Sequence, residues 1–204
     1  MSQITNLFAT QLYRADEATP GMLNAELEVA CLHLSQTDRL GLQWSDTHGY
    51  PGYTSYASLA DLTDRLSVFK KLERRLDRHA AHFAKALQWN MRGGKPKCDS
   101  LWVNVMPEGG SHTSHIHTNA AISGTYYVKV PKGAGPIVYE DPRLGLMMAA
   151  PPRNAKAPRD MQPHVSETPH ARTLLLWESW LRHEVPLNRA AGERISISFN
   201  YVIG

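Results

Sequence analysis

Cysteine is scarce in this chain, with only Cys31 and Cys98 among 204 residues. Neither lies in a C-x-x-C arrangement, so a cysteine-type zinc site and a disulfide framework are both excluded. No apolar stretch approaches the length of a membrane span. The opening Met1-Ser2-Gln3-Ile4-Thr5-Asn6 lacks a basic segment followed by an apolar one, so no secretory signal is expected and the expected compartment is the cytoplasm. Neither sign of charge dominates: 22 Lys and Arg stand against 19 Asp and Glu, a net charge of +3. The basic residues are scattered apart from Lys70-Lys71 and Arg74-Arg75, which fall inside an expected helix and read as solvated faces. Without a clustered basic stripe, no nucleic-acid partner is expected, and the slight positive balance favours small anions. Ser114 and Ser123 have no partner base and no G-x-S-x-G motif is present, which leaves no basis for a nucleophilic hydrolase. Internal repeats and low-complexity tracts are also missing.

What the chain does have is a 42% hydrophobic fraction with 20% charged residues, the balance of an ordinary globular protein with material for a core. Residues 1–204 are expected to form one domain, with a mainly helical part over 1–97 and a β part over 98–204. Ile4 to Tyr13 is expected as an outer strand. Apolar residues from Met22 to Leu34 recur at helical spacing, and Leu59 to Leu87 trace one apolar stripe, with Ser58 as the expected N-cap. That stripe would pack on the β part or on a second subunit, as in a homodimer. The Gly/Pro/Tyr-rich stretch from Trp44 to Tyr56 reads as a loop. After Cys98 the pattern turns to short strands: Leu101–Met106, Ser123–Val130, Pro136–Glu140, Thr173–Trp177, Leu181–Pro186 and the alternating Arg194–Val202. Between them, Gly145 to Arg172 reads as a long loop with room for one strand and the character of a lid. Short strands with Gly/Pro turns indicate a jelly roll, and helices followed by strands make the whole α+β.

The chemistry is concentrated in Ser111-His112-Thr113-Ser114-His115-Ile116-His117. On an extended strand, residues two apart share a face, so His115 and His117 point one way and Ile116 the other. His112, at an odd offset, falls on the opposite face of an ideal strand. A jelly roll would bring His183 beside the pair and complete a three-imidazole triad with open positions opposite, the requirement of non-haem iron oxygen chemistry. Arg194 follows His183 by eleven residues, with Ser196 on the same strand face. A guanidinium grips a carboxylate bidentately and a hydroxyl adds a further hydrogen bond, so the pair suits the far carboxylate of a metal-chelated dicarboxylate. Asn104, Tyr126 and Asn200 are candidate pocket residues. Asp141, in an Asp-Pro turn far along the chain from the histidine pair, reads as structural.

The segment Leu101–Gly204 resembles the double-stranded β-helix core of the 2-oxoglutarate/Fe(II)-dependent oxygenases, and within them a bacterial subfamily of unassigned substrate. The likeness is carried by His115-Ile116-His117, Ser123-Gly124-Thr125-Tyr126-Tyr127-Val128, Glu140-Asp141-Pro142-Arg143, Trp177-Glu178-Ser179-Trp180-Leu181-Arg182-His183 and Arg194-Ile195-Ser196-Ile197-Ser198-Phe199-Asn200. The wider superfamily has His-x-Asp as its first metal motif; here the third position is His117. The resemblance implies Fe(II) held by His115, His117 and His183. It implies 2-oxoglutarate anchored by Arg194 and Ser196, near Tyr126 and Asn104. The activity implied is a dioxygenase that hydroxylates a small-molecule or peptide substrate. Two alternatives stay open at this point: a cupin-type three-histidine dioxygenase that does not use 2-oxoglutarate, and a non-enzymatic metal-binding jelly-roll module. No membrane partner is expected.

Overall fold

A computed structural model describes residues 1–204. Two antiparallel sheets face each other as a jelly roll, and helices cover the outer face of the larger one. The larger sheet has six strands: β1 (Leu12–Ala15), β2 (Tyr53–Thr54), β3 (Pro96–Met106), β5 (Ile122–Lys129), β8 (Leu174–Glu178) and β10 (Arg194–Ile203). Their spatial order is β1-β8-β5-β10-β3-β2. The smaller sheet orders β4 (His112–His115), β9 (His183–Val185), β6 (Ile137–Glu140) and β7 (His164–Glu167) as β4-β9-β6-β7. Together they form the double-stranded β-helix expected for the β part, within an α+β chain.

Period-two alternation in the central strands sorts the side chains into two layers. In β10, Ile195, Ile197, Phe199 and Tyr201 join Leu101, Val103 and Val105 of β3 and Tyr126 and Val128 of β5 in a core under the helices. The intervening residues, Arg194, Ser196 and Ser198 with Trp102, Asn104, Thr125 and Tyr127, face the space between the sheets. A second cluster there includes Tyr127, Ile137, Tyr139, Leu175, Trp177, Leu181 and Val185, and Tyr139 and Trp177 pack against the His183 ring. Gly124 of β5 leaves room for the core under the helices because it has no side chain. A Cβ there would stand 2.5 Å from the Phe199 ring and 2.6 Å from a Leu176 methyl.

The helices are α1 (Gly21–Thr37), α2 (Arg39–Thr47), α3 (Leu62–Arg65) and α4 (Ser67–Ala86). Phe69, Leu72, Leu76, Ala80 and Phe83 of α4 recur at three and four residues and are buried against the chain's own large sheet. The expected single helix over Leu59–Leu87 is therefore two, broken at Leu66, whose backbone is extended. Apolar periodicity continues through one extended residue and cannot register it. Ser58 is not the N-cap; its hydroxyl donates to Asp38. Asp38 also caps α2, accepting from the Gly41 N–H at 3.2 Å, so part of the expected loop from Trp44 is helical. The expected strand over Ile4–Tyr13 is confined to Leu12–Ala15, paired with β8, and the residues before it are exposed. The long loop from Gly145 to Arg172 holds one strand, β7, and two short 3-10 turns.

Candidate metal and co-substrate site

Three imidazoles converge in the pocket between the two sheets. His115 ends β4 and pairs directly with His183 of β9, while His183 also pairs with Tyr139 of β6. His117 lies just beyond β4, where its backbone N–H donates to the Ser179 carbonyl at 3.0 Å. One ring nitrogen from each of the three lies within 4.8 Å of the others. Ile116 turns outward and is half-exposed, at 40%, as the alternation of faces requires.

The hydrogen bonds of the other ring nitrogens define what this group can do. His115 Nδ1 is 2.7 Å from the Thr113 carbonyl, His183 Nδ1 is 2.9 Å from the Leu181 carbonyl, and His117 Nδ1 is 2.7 Å from Asn200 Oδ1. Each partner is an oxygen that accepts, which assigns the proton to Nδ1 and leaves the Nε2 lone pair free. Asn200 Oδ1 is itself fixed by a second donor, the Ser123 hydroxyl at 2.7 Å, whose oxygen lies 2.8 Å from that of Ser179. The Nε2 atoms of His115 and His117 then face each other at 3.3 Å. Two lone pairs at that distance repel unless a cation lies against both. Burial favours the neutral ring in all three, holding His183 down to about 3 and His115 and His117 below the usual histidine range. Neutral imidazoles with outward-held Nδ1 protons and converging Nε2 lone pairs suit a divalent transition metal. The donor set fits such an ion with the remaining coordination positions open.

Beside the triad is a buried cation without a counter-charge. Arg194 is 3% exposed, its Nε has no hydrogen-bond partner, and its guanidinium carbon lies 5.0 Å from the centroid of the Tyr127 ring. The buried hydroxyl of Tyr127 is unpartnered too. An isolated buried guanidinium is costly, and the cost is offset when an anion enters the pocket. Ser196 and Asn104 are neighbours across the β10–β3 ladder and line the same pocket. The Asn104 amide donates to Ser198 at 3.2 Å, and Tyr50 reaches Asn104 from outside the β part.

The structure thus brings His115, His117, His183, Arg194, Ser196 and Asn104 into one pocket, but not Tyr126. That tyrosine is fully buried on the helix side of β5, bonded to Thr19 at 2.6 Å and to Asn24 at 2.6 Å. Parity counted from His115 does not carry over the break at 116–121, and Tyr127 takes the pocket-facing position. His112 also departs from the ideal-strand expectation. Pairing between β4 and β9 is irregular between His112 and His115, and this bulge rotates His112 back to stack on the His115 ring, centroids 4.4 Å apart. Asp141 bonds the backbone and side chain of Arg143 and stands apart from the three imidazoles, as its turn setting suggested.

Residues 100–200 match the model of a family described as "Putative 2OG-Fe(II) oxygenase". No curated protein matches the sequence. Among solved structures, a prolyl-4-hydroxylase from Pseudomonas putida aligns over 96% of this chain and 94% of its own, with a TM-score of 0.61 at 13% identity. The epimerase SnoN from nogalamycin biosynthesis, solved with Fe3+, alpha ketoglutarate and nogalamycin RO, aligns over 95% of this chain and 79% of its own, with a TM-score of 0.64 at 13% identity. The chain spans 56% of the length of a 2OG-Fe(II) oxygenase family oxidoreductase from Burkholderia pseudomallei, over 67% of this chain at 17% identity and a TM-score of 0.48. At such identities the structural likeness is one of fold. The family match covers the β core that supplies the triad and Arg194, and that core is similar to the family described as "Putative 2OG-Fe(II) oxygenase".

Proposed function

We propose that the protein is an Fe(II)- and 2-oxoglutarate-dependent oxygenase that hydroxylates a small-molecule or peptide substrate, releasing succinate and CO2. The observation that carries this reading is the conjunction of three converging Nε2 lone pairs with a buried guanidinium that has no carboxylate of its own. The family match supports it, as does SnoN, solved with Fe3+ and alpha ketoglutarate in the same fold. His115, His117 and His183 would hold the iron, which when bound supplies the dioxygen chemistry that the side chains alone cannot. Arg194 grips the distal carboxylate of the dicarboxylate through its planar fork, over the Tyr127 ring, with the Tyr127 and Ser196 hydroxyls as further donors. The Nδ1 acceptors Thr113, Leu181 and Asn200 keep the three rings in one tautomer and orientation. Met106, Ile137 and Val185 give the pocket an apolar wall that limits water beside the reacting groups.

Anaerobic titration of Fe(II)-loaded protein with 2-oxoglutarate tests the reading through the visible charge-transfer band of a chelated keto acid. The band is expected in wild type and lost in His183→Ala. Bound iron that gives no band would sink it. A second reading is favoured by the lack of any carboxylate among the metal-facing groups: a three-histidine dioxygenase that acts without 2-oxoglutarate. Substrate-dependent oxygen uptake without succinate would select it.

A further inference from the structure

The two basic pairs read from the sequence as solvated faces lie beside a groove of about 500 Å³ on the far side of the large sheet from the imidazoles. Ligand sites commonly occupy about 300–1,000 Å³. Lys71, Arg74, Arg75 and Arg78 of α4 form one wall, and the first turn of α1, through Met22 and Leu23, forms the other. The single acid in the groove, Glu26, is taken by Lys71 at 3.0 Å. The acids of α4 nearby are also committed: Glu73 pairs with Lys70, and Asp77 accepts from the Tyr201 hydroxyl. Arg74, Arg75 and Arg78 are left without a carboxylate partner, and all three border the same concavity.

We infer that this groove binds a small anion carrying two or more linked phosphates. Three uncompensated guanidiniums call for an acceptor that takes several bidentate hydrogen bonds, which is phosphate chemistry. Arg74 and Arg78 stand one helical turn apart, about 6 Å of rise. That span exceeds one phosphate and suits two bridged ones. The α1 wall adds to the field, since no side chain caps that helix and its first turn holds no acid. Pro20, Met22 and Leu23 give the groove an apolar lip on which the organic part of a nucleotide could rest. The site is independent of the imidazole pocket and does not rest on the activity proposed for it.

Isothermal titration of the full chain at about 0.15 M salt, where long-range attraction is screened, tests the inference with inorganic pyrophosphate and with ATP. Saturable one-to-one binding of pyrophosphate is expected. It should weaken at least tenfold in the exposed-position variant Arg74→Gln/Arg78→Gln, verified as folded by circular dichroism, and stay unchanged in Lys85→Gln. Tighter binding of ATP than of pyrophosphate would identify a nucleotide as the occupant; equal binding would identify the diphosphate alone. The inference is overturned by any of four results: no saturation, equal binding of sulfate, an equal loss in Lys85→Gln, or tighter binding of a single-stranded oligonucleotide.

Discussion

Asn200 holds His117: the ring Nδ1 lies 2.7 Å from the amide oxygen, which the Ser123 hydroxyl fixes from its other side at 2.7 Å. The pair joins the last strand of the fold to the first metal-facing segment, 83 residues earlier.

Replacing Asn200 with Ala should therefore weaken metal binding by about 10–100-fold, the usual cost of losing such a partner. Asn200→Asp keeps an acceptor oxygen and should retain most of the affinity. Competition against a chromogenic chelator measures both. Equal losses in the two variants would mean that packing at this position, rather than the hydrogen bond, matters.

Arg194 yields a prediction with opposite signs in two measurements. Arg194→Met removes a buried charge without a counter-ion and fills similar volume, so the ligand-free protein should keep or gain stability in urea. Binding of 2-oxoglutarate should fall by about 10–100-fold, corresponding to loss of charge-assisted hydrogen bonds worth about 1.5–3 kcal/mol. Arg194→Lys should recover only part, because an ammonium lacks the fork. A destabilised Met variant with unchanged co-substrate binding would assign Arg194 a purely structural role.

Gly124→Ala should destabilise the protein by about 1–3 kcal/mol through overpacking. Its new methyl would press on Phe199 and Leu176, both fully buried between the sheet and the helices. Thermal unfolding should shift down by about 2–4 °C per kcal/mol for a chain of this size. An unshifted midpoint would show that the Phe199 ring yields freely.

These positions also show which features local pattern can reveal. The strict alternation Arg194-Ile195-Ser196-Ile197-Ser198-Phe199 already separates a polar face from an apolar one, and the structure places that polar face in the pocket. His115 and His117 are legible for the same reason, whereas His183 joins them only through the jelly-roll pairing of β4 with β9. Tyr126 lies on the helix side of its strand because side-chain parity is not kept across residues 116–121, where β4 has ended and β5 has not begun. His112 faces the His115 ring because a bulge adds one residue to the count. The α2 helix is not legible because Gly, Pro and Tyr residues dominate the composition from Trp44 to Tyr56, while its cap, Asp38, lies ahead of that stretch. Asn200 as the partner of His117 depends on contact between segments far apart in the chain, which periodicity does not encode.

Acid should destabilise the metal-free protein, and the buried histidines set the range. Burial, followed by the charge of neighbouring His115, lowers His183 from the ordinary 6.5 to about 3, and the same causes lower His112 to about 4. Below pH 6.5 the unfolded chain takes up protons at these rings while the folded chain does not. Stability therefore falls as pH drops, from about 6.5 down to about 4 for His112 and about 3 for His183, and levels off only below those values. Well inside that range each ring contributes about 1.4 kcal/mol per pH unit. Urea unfolding of metal-free protein should thus lose about 2–4 kcal/mol between pH 7 and pH 5. His183→Gln, which has no proton to gain, should make that slope shallower, with His112, His115 and His117, also lowered by burial, supplying the rest. A pH dependence identical in wild type and variant would show that other groups govern the acid limb and that His183 is not held neutral by its burial.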